Sequence, residues 1–196
     1  MERPTPTEVR DATAADAPLV VRTLTRAFAE DPVFDWVLPD PAARARYGPR
    51  IFDMFFAGIE PAGMRLVTPD CSAATLWHAP NPPRQGGLRA MWQLWRATGS
   101  ALFRFRRIGK AVEAHFPPQP FWYLHIAGAD PARQGEGLGR AVVQAGLDRI
   151  GSAPVYLETA KARNLGFYES LGFRVVDEWD VRGGGPHFWS MLRPQV

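Results

Sequence analysis

Residues 129–140, Ala-Asp-Pro-Ala-Arg-Gln-Gly-Glu-Gly-Leu-Gly-Arg, constrain the fold of this 196-residue chain more than any other stretch. They follow an extended apolar segment, Phe121 to Gly128, and lead into a helical one, Arg140 to Ile150. Gly135, Gly137 and Gly139 alternate where a strand must become a helix. Glycine lets the backbone approach a ligand with its amides uncovered. The first turn of the following helix adds unpaired N–H groups and the positive end of a dipole. Such a corner is a ready seat for a pyrophosphate.

Spacing decides which kind of seat it is. A Walker A loop ends in Gly-Lys-Ser/Thr, whereas Gly139 is followed by Arg140 and Ala141. A dinucleotide-binding Gly-x-Gly-x-x-Gly needs glycine at 140 or 142, which hold Arg140 and Val142. The pattern that fits is Gln/Arg-x-x-Gly-x-Gly/Ala, met by Gln134, Gly137 and Gly139. Downstream, Val155-Tyr156-Leu157-Glu158-Thr159 reads as a short buried strand. Asn164 follows it, then Phe167-Tyr168-Glu169-Ser170-Leu171-Gly172-Phe173. In order and spacing these two motifs resemble the coenzyme site of the GNAT N-acetyltransferases. The start (Val9 to Asp16, before a helix carrying Ala27 and Phe28) and the end (Gly185 to Met191) resemble the same family. The likeness therefore covers essentially the whole chain, and its nearest pattern is that of puromycin N-acetyltransferase and its actinobacterial relatives.

The resemblance implies an α/β (α+β) GNAT fold: one mixed, mostly antiparallel sheet of about seven strands with helices on both faces. It implies one domain over residues 1–196, acetyl-CoA as co-substrate and no metal. Backbone amides from Gln134 through Gly135, Glu136, Gly137, Leu138 and Gly139 to Arg140 would hold the pyrophosphate. Ala127, Gly128 and Ala129 would pair with the pantetheine amides as a neighbouring strand would. Tyr168 is the expected proton donor to the coenzyme sulfur, and Asn164 would bind the pantetheine arm, a water, or its own helix N-terminus. Two bases compete. Glu158 closes a buried strand where its pKa would be raised, and His125 lies on the strand beside the thioester. Strict alternation puts His125 on the face opposite both Leu124 and Ile126. His78, His115 and His187 are weaker candidates, and a water relay would also serve.

The acceptor is expected to be a small-molecule primary amine, attacked directly in a ternary complex. Asp31 and Asp35 would attract its ammonium. Phe34, Trp36, Phe55, Trp77, Trp92 and Trp95 supply either a pocket lining or simply core; Asp31, Phe34, Trp36 and Trp77 are the acceptor-site candidates. The segment 31–36 departs from the puromycin pattern, so the likeness does not extend to that substrate. The competing readings are a non-catalytic acyl-CoA-binding module, and an acyltransferase using another acyl group or a hydroxyl acceptor.

Composition limits the remaining options. Hydrophobic residues make up 46% of the chain, ample for a core, and the formal charge is only +3. Arg96, Arg104, Arg106 and Arg107 alternate with Phe103 and Phe105, which reads as the solvated end of a helix or a seat for the coenzyme's 3′-phosphate rather than a nucleic-acid surface. Cys71 is the sole cysteine, so no internal disulfide forms and a reducing compartment suits the chain. No apolar leader or membrane-length run is present, and the expected location is cytoplasmic. The terminal aromatic strand would support a homodimer.

Along the chain, Met1 to Thr7 reads as a flexible tail, with a strand near Val9–Asp11. A helix opens at Thr13–Asp16 and stops at Asp31–Pro32. Phe34–Pro39 is a loop or short helix, and a second long helix is expected over Ala42–Gly58. Strands follow at Met64–Thr68 and Ala73–His78. A further helix carries Leu88, Met91, Trp92 and Trp95 and extends towards Phe103. The last strands are expected at Phe173–Val181 and Phe188–Leu192.

Overall fold

The computed structural model describes residues 7–80, 92, 95, 96 and 98–195. The expected tail over Met1–Pro6 and the helical positions Leu88 and Met91 lie outside these residues. Seven strands form one sheet: β1 (Arg10–Asp11), β2 (Met64–Val67), β3 (Ala73–His78), β4 (Trp122–Ala129), β5 (Val155–Thr159), β6 (Arg174–Asp180) and β7 (His187–Arg193). Their order is β1-β2-β3-β4-β5-β7-β6. Every neighbouring pair is antiparallel except β4–β5.

Among the described residues, six helices have assigned bounds: α1 (Ala17–Ala27), α2 (Pro32–Val37), α3 (Pro41–Ala57), α4 (Leu102–Ala114), α5 (Leu138–Ile150) and α6 (Leu165–Glu169). Sequence chemistry explains their starts. Asp16 accepts the Thr13 N–H at 2.7 Å ahead of α1, and Asp40 accepts the amides of Ala42 and Ala43 at the head of α3. Helix α1 ends at Ala27, before the expected stop, because Asp31 is itself a cap: it accepts the Val33 N–H at 3.0 Å and opens α2 with Pro32 in the first turn.

The sheet separates two apolar cores. On one face Val20 and Leu24 of α1 and Phe34 of α2 meet Ile51, Phe52 and Phe56 of α3 over Val67, Leu76 and Ile126. On the other, Val143 and Leu147 of α5 meet Trp77, Leu124, Leu157, Met191 and Tyr168. Leu124 and Ile126 thus face opposite sides, which strict alternation forbids. The cause is a β-bulge. Leu76 pairs with Ile126 and Trp77 with Leu124, leaving His125 as the extra residue on β4. His125, opposite Leu124, lies on the α3 side with its ring 4.6 Å from Phe55, and the extra residue brings Ile126 to that side too.

Candidate active site

The parallel strands β4 and β5 pair only at Trp122–Val155 and Tyr123–Tyr156. Beyond these two positions they diverge, and the ends of both strands border a wedge. At its apex Tyr123 on β4 donates its hydroxyl proton to Glu158 Oε2 on β5 at 2.9 Å, bridging the strands where backbone pairing stops. Glu158 Oε1 is buried and has no hydrogen-bond partner. Burial pushes the Glu158 carboxyl up to about 8, against the pull of the Tyr123 hydrogen bond. Below that pH the neutral acid, a hydrogen-bond donor, predominates, and the ionised fraction is a stronger base than an ordinary carboxylate.

This shift has a stability consequence. The folded protein keeps a proton on Glu158 between about 4.5 and about 8, where the unfolded chain has released it. Stability is then fullest below the lower value and falls as pH rises towards the upper one, by at most about 1.4 kcal/mol per pH unit. Glu158→Gln keeps an acceptor for Tyr123 and cannot ionise. Its Tm relative to wild type is expected to climb between pH 5 and pH 9. A gap independent of pH would mean that Glu158 ionises as freely folded as unfolded.

The other wall of the wedge begins at Ala127, Gly128 and Ala129, which pair with β3 on their far side. Gly128 has a packing reason as well as the expected one: a Cβ there would sit 2.9 Å from Leu24 and 3.1 Å from Ala27, so glycine lets α1 lie close on β4. The chain then turns through Gln134–Gly137 into α5, two residues earlier than the sequence suggests. Gly135 and Gly137 have φ of +90° and +77°, the left-handed region that favours glycine. Among the described residues, no hydrogen bond engages the amides of Gly135, Gly137, Leu138, Gly139 or Arg140; the first helical bond is Ala141 N to Gly137 O. Five N–H groups at one corner are thus left for a ligand. Gln134 and Glu136 are exposed there, Glu136 held by Arg133 at 2.6 Å, while Leu138 anchors the turn in the core.

Tyr168 lies in α6, its ring packed on Phe167 and Phe173. Burial pushes its phenol up to about 12, and the charge of Asp31 adds to this. Two bonds bring this helix to the wedge. Arg140 donates to Ser170 Oγ at 2.7 Å, joining the glycine turn to the end of α6. Asn164 Nδ2 donates to Thr159 Oγ1 at 3.2 Å, joining its start to β5, and Asn164 caps nothing with its side chain.

The acceptor-site candidates divide. Trp77 is fully buried beneath α5, where a Cβ on Gly146 would collide with its ring, and its Nε1 donates to Thr75 at 2.8 Å. It has no surface to offer a substrate. Phe34 is likewise a core residue, stacked on Phe52 at 5.2 Å. In both cases hydrophobic burial claimed an aromatic that sequence alone leaves free to line a pocket. Trp36 is half-buried and packs against both α3-side clusters. Asp31 is buried and paired with Lys161 at 3.3 Å. Burial raises its carboxyl while Lys161 opposes the rise. A shallow cleft lined by Glu30, Pro32 and Ala160–Arg163 opens beside this pair. Trp92 and Trp95 are exposed, and Asp35 is bound to Arg44 at the surface.

Sequence reading passed over Tyr123 and Glu60. Tyr123 carried a signal, being two residues before His125 in a strand. Glu60 carried none, because its partner His78 is brought to it only by the fold.

Set against known proteins, the chain is similar over its full length to a solved structure from Corynebacterium glutamicum described as histone acetyltransferase HPA2 and related acetyltransferase. The TM-score is 0.76 at 27% identity, with 98% of each chain covered. The chain has the GNAT fold. No protein-family profile matches it. Two curated relatives align over shorter stretches. A mycothiol acetyltransferase from Streptosporangium roseum is 38% identical over 68 residues, 32% of this chain and 19% of the relative. The N-alpha-acetyltransferase RimI of Mycobacterium tuberculosis is 43% identical over 60 residues, 29% of this chain and 38% of the relative. The chain thus spans well under half the length of these relatives. Their names and the structural neighbour support the GNAT acetyltransferase superfamily.

Proposed function

We propose that this protein is an acetyl-CoA-dependent N-acetyltransferase acting on the primary amine of a small molecule. The observation that carries the reading is the pairing of an open β4–β5 wedge with a glycine turn whose five amides are unclaimed. A pyrophosphate fits the turn and an extended pantetheine fits the free edge of β4. The unpartnered Glu158 Oε1 marks a buried polar position that a ligand would complete. When bound, acetyl-CoA supplies the activated acyl group. The chain's own part is to seat it, exclude water, offer the Tyr168 hydroxyl to the sulfur, and take a proton from the acceptor amine.

A relative named for mycothiol favours a small acceptor, and one named as an N-alpha-acetyltransferase favours a peptide α-amine. The deciding experiment is thiol release from acetyl-CoA with a panel of amines that includes puromycin, aminoglycosides, polyamines, amino acids and N-terminal peptides. Turnover of a small amine is the expected result. Turnover of peptides alone would replace the acceptor class, and tight coenzyme binding with no turnover would favour a sensor.

A further inference from the structure

On the α3 side of the sheet three polar side chains form an unbroken hydrogen-bonded line. Glu60, in the connection between α3 and β2, accepts the Ala79 N–H at 2.7 Å with Oε1 and meets His78 Nδ1 at 2.7 Å with Oε2. His78 Nε2 lies 3.3 Å from His125 Nδ1. Burial drives the Glu60 carboxyl up, yet its hydrogen bonds from His78 and Ala79 outweigh this and hold it below the ordinary range. Glu60 is therefore an acceptor, and the His78 Nδ1 carries hydrogen. With His78 neutral, its Nε2 accepts, so His125 donates from Nδ1. His125 Nε2 is then the nitrogen left with a lone pair.

A lone His125 would be a poor base. Burial, with His78 adding to it, pushes its imidazole down to about 3, and its ring neighbours Phe55 and Tyr123 bring no charge to steady a cation. The line removes that obstacle. His78 Nδ1 lies 2.7 Å from Glu60 Oε2, and their side chains are 12% and 19% exposed, so a gained charge has a partner. His125 faces the α3 side because it lies opposite Leu124 and two residues on from Tyr123, the β3 partner of which is His78; the bulge turns Ile126 to that side as well.

We propose that Glu60, His78 and His125 form a proton relay for the acceptor amine. His125 Nε2 takes the proton from the amine nitrogen, His125 Nδ1 passes its own to His78 Nε2, and the resulting imidazolium is held by Glu60. The two transfers are concerted, each breaking one N–H bond as it forms another, so the charge passes to His78 without resting on His125. His125 is the catalytic residue; His78 and Glu60 are positioning residues acting through it. The proposal rests on the acetyltransferase reading and names the base that reading needs.

The test compares wild type with Glu60→Gln in turnover of an accepted amine from pH 6 to pH 10, alongside acetyl-CoA affinity by calorimetry. Glu60→Gln keeps the size and one of the two acceptor oxygens, sets an NH2 donor in place of the other, and cannot hold the imidazolium. Its kcat is expected to fall about 10- to 100-fold at pH 7, to recover towards pH 10 as free amine accumulates, and to leave coenzyme affinity within about twofold. An unchanged kcat and pH profile would overturn the relay. Nitrogen-15 NMR of the wild-type imidazoles tests the line independently of turnover. At pH 9 hydrogen on Nδ1 of both His78 and His125 is expected, and hydrogen on Nε2 of His125 overturns it. Absence of turnover by the wild type with any amine would sink the acetyltransferase reading, and the tautomers would still decide the line.

Discussion

Tyr168→Phe is expected to lower kcat by about 10- to 100-fold while acetyl-CoA affinity stays within about twofold. The magnitude follows from what the phenol can do where it sits. Burial holds its pKa near about 12, whereas a thiol leaving group has a pKa of about 8.5. Complete proton transfer from phenol to thiolate would be uphill by several pH units. Tyr168 is better suited to donating a hydrogen bond to the sulfur as negative charge grows on it. A hydrogen bond to a charged group is worth roughly 1.5–3 kcal/mol, which sets the fold-change. The ring packs on Phe167 and Phe173, so phenylalanine keeps the core intact and the loss appears in kcat rather than in folding. A single-turnover assay with saturating coenzyme reads it. An unchanged rate would remove Tyr168 from the chemistry and leave it a core residue.

The backbone of the half proposed to seat the coenzyme was legible in the sequence because local rules fix it. Alternate glycines between an apolar strand and a helix demand positive φ, and Gly135 and Gly137 adopt it. The apolar run Val155–Thr159 is a strand over that same range. The acceptor half was not legible in the same way. Asp31 reads as an ammonium trap, yet its carboxylate is spent on capping α2 and on Lys161, a residue 130 positions away in sequence. Trp77 and Phe34 read as walls, but which side of a helix or strand meets the core is decided by the partner that covers it. The facing of Ile126 was hidden for a sharper reason. A one-residue bulge reverses the facing of everything on one side of it, and periodicity carries no trace of the bulge. Non-local pairing is what the sequence leaves open, and the acceptor side is built from it.

Gly137→Val is expected to weaken acetyl-CoA binding by about 100-fold or more with little change in Tm. Crowding is not the reason: nothing lies within 4 Å of a Cβ built at Gly137. The obstacle is its φ of +77°, which a β-branched residue adopts only at a cost of about 1–3 kcal/mol. The exposed turn has few contacts to resist relaxation, so the peptide will rotate instead, and the neighbouring amides will no longer converge. Charge-assisted bonds to phosphate are worth roughly 1.5–3 kcal/mol each. Misdirecting two of the five therefore costs about two powers of ten or more in affinity. Gly139→Ala separates this cause from simple bulk. Its Cβ would rest 4.0 Å from that of Ala129, an ordinary contact, and its backbone needs no positive φ. It should bind within about threefold of wild type. Calorimetry with acetyl-CoA on both variants decides the matter, because normal affinity in Gly137→Val would mean that the pyrophosphate is seated elsewhere.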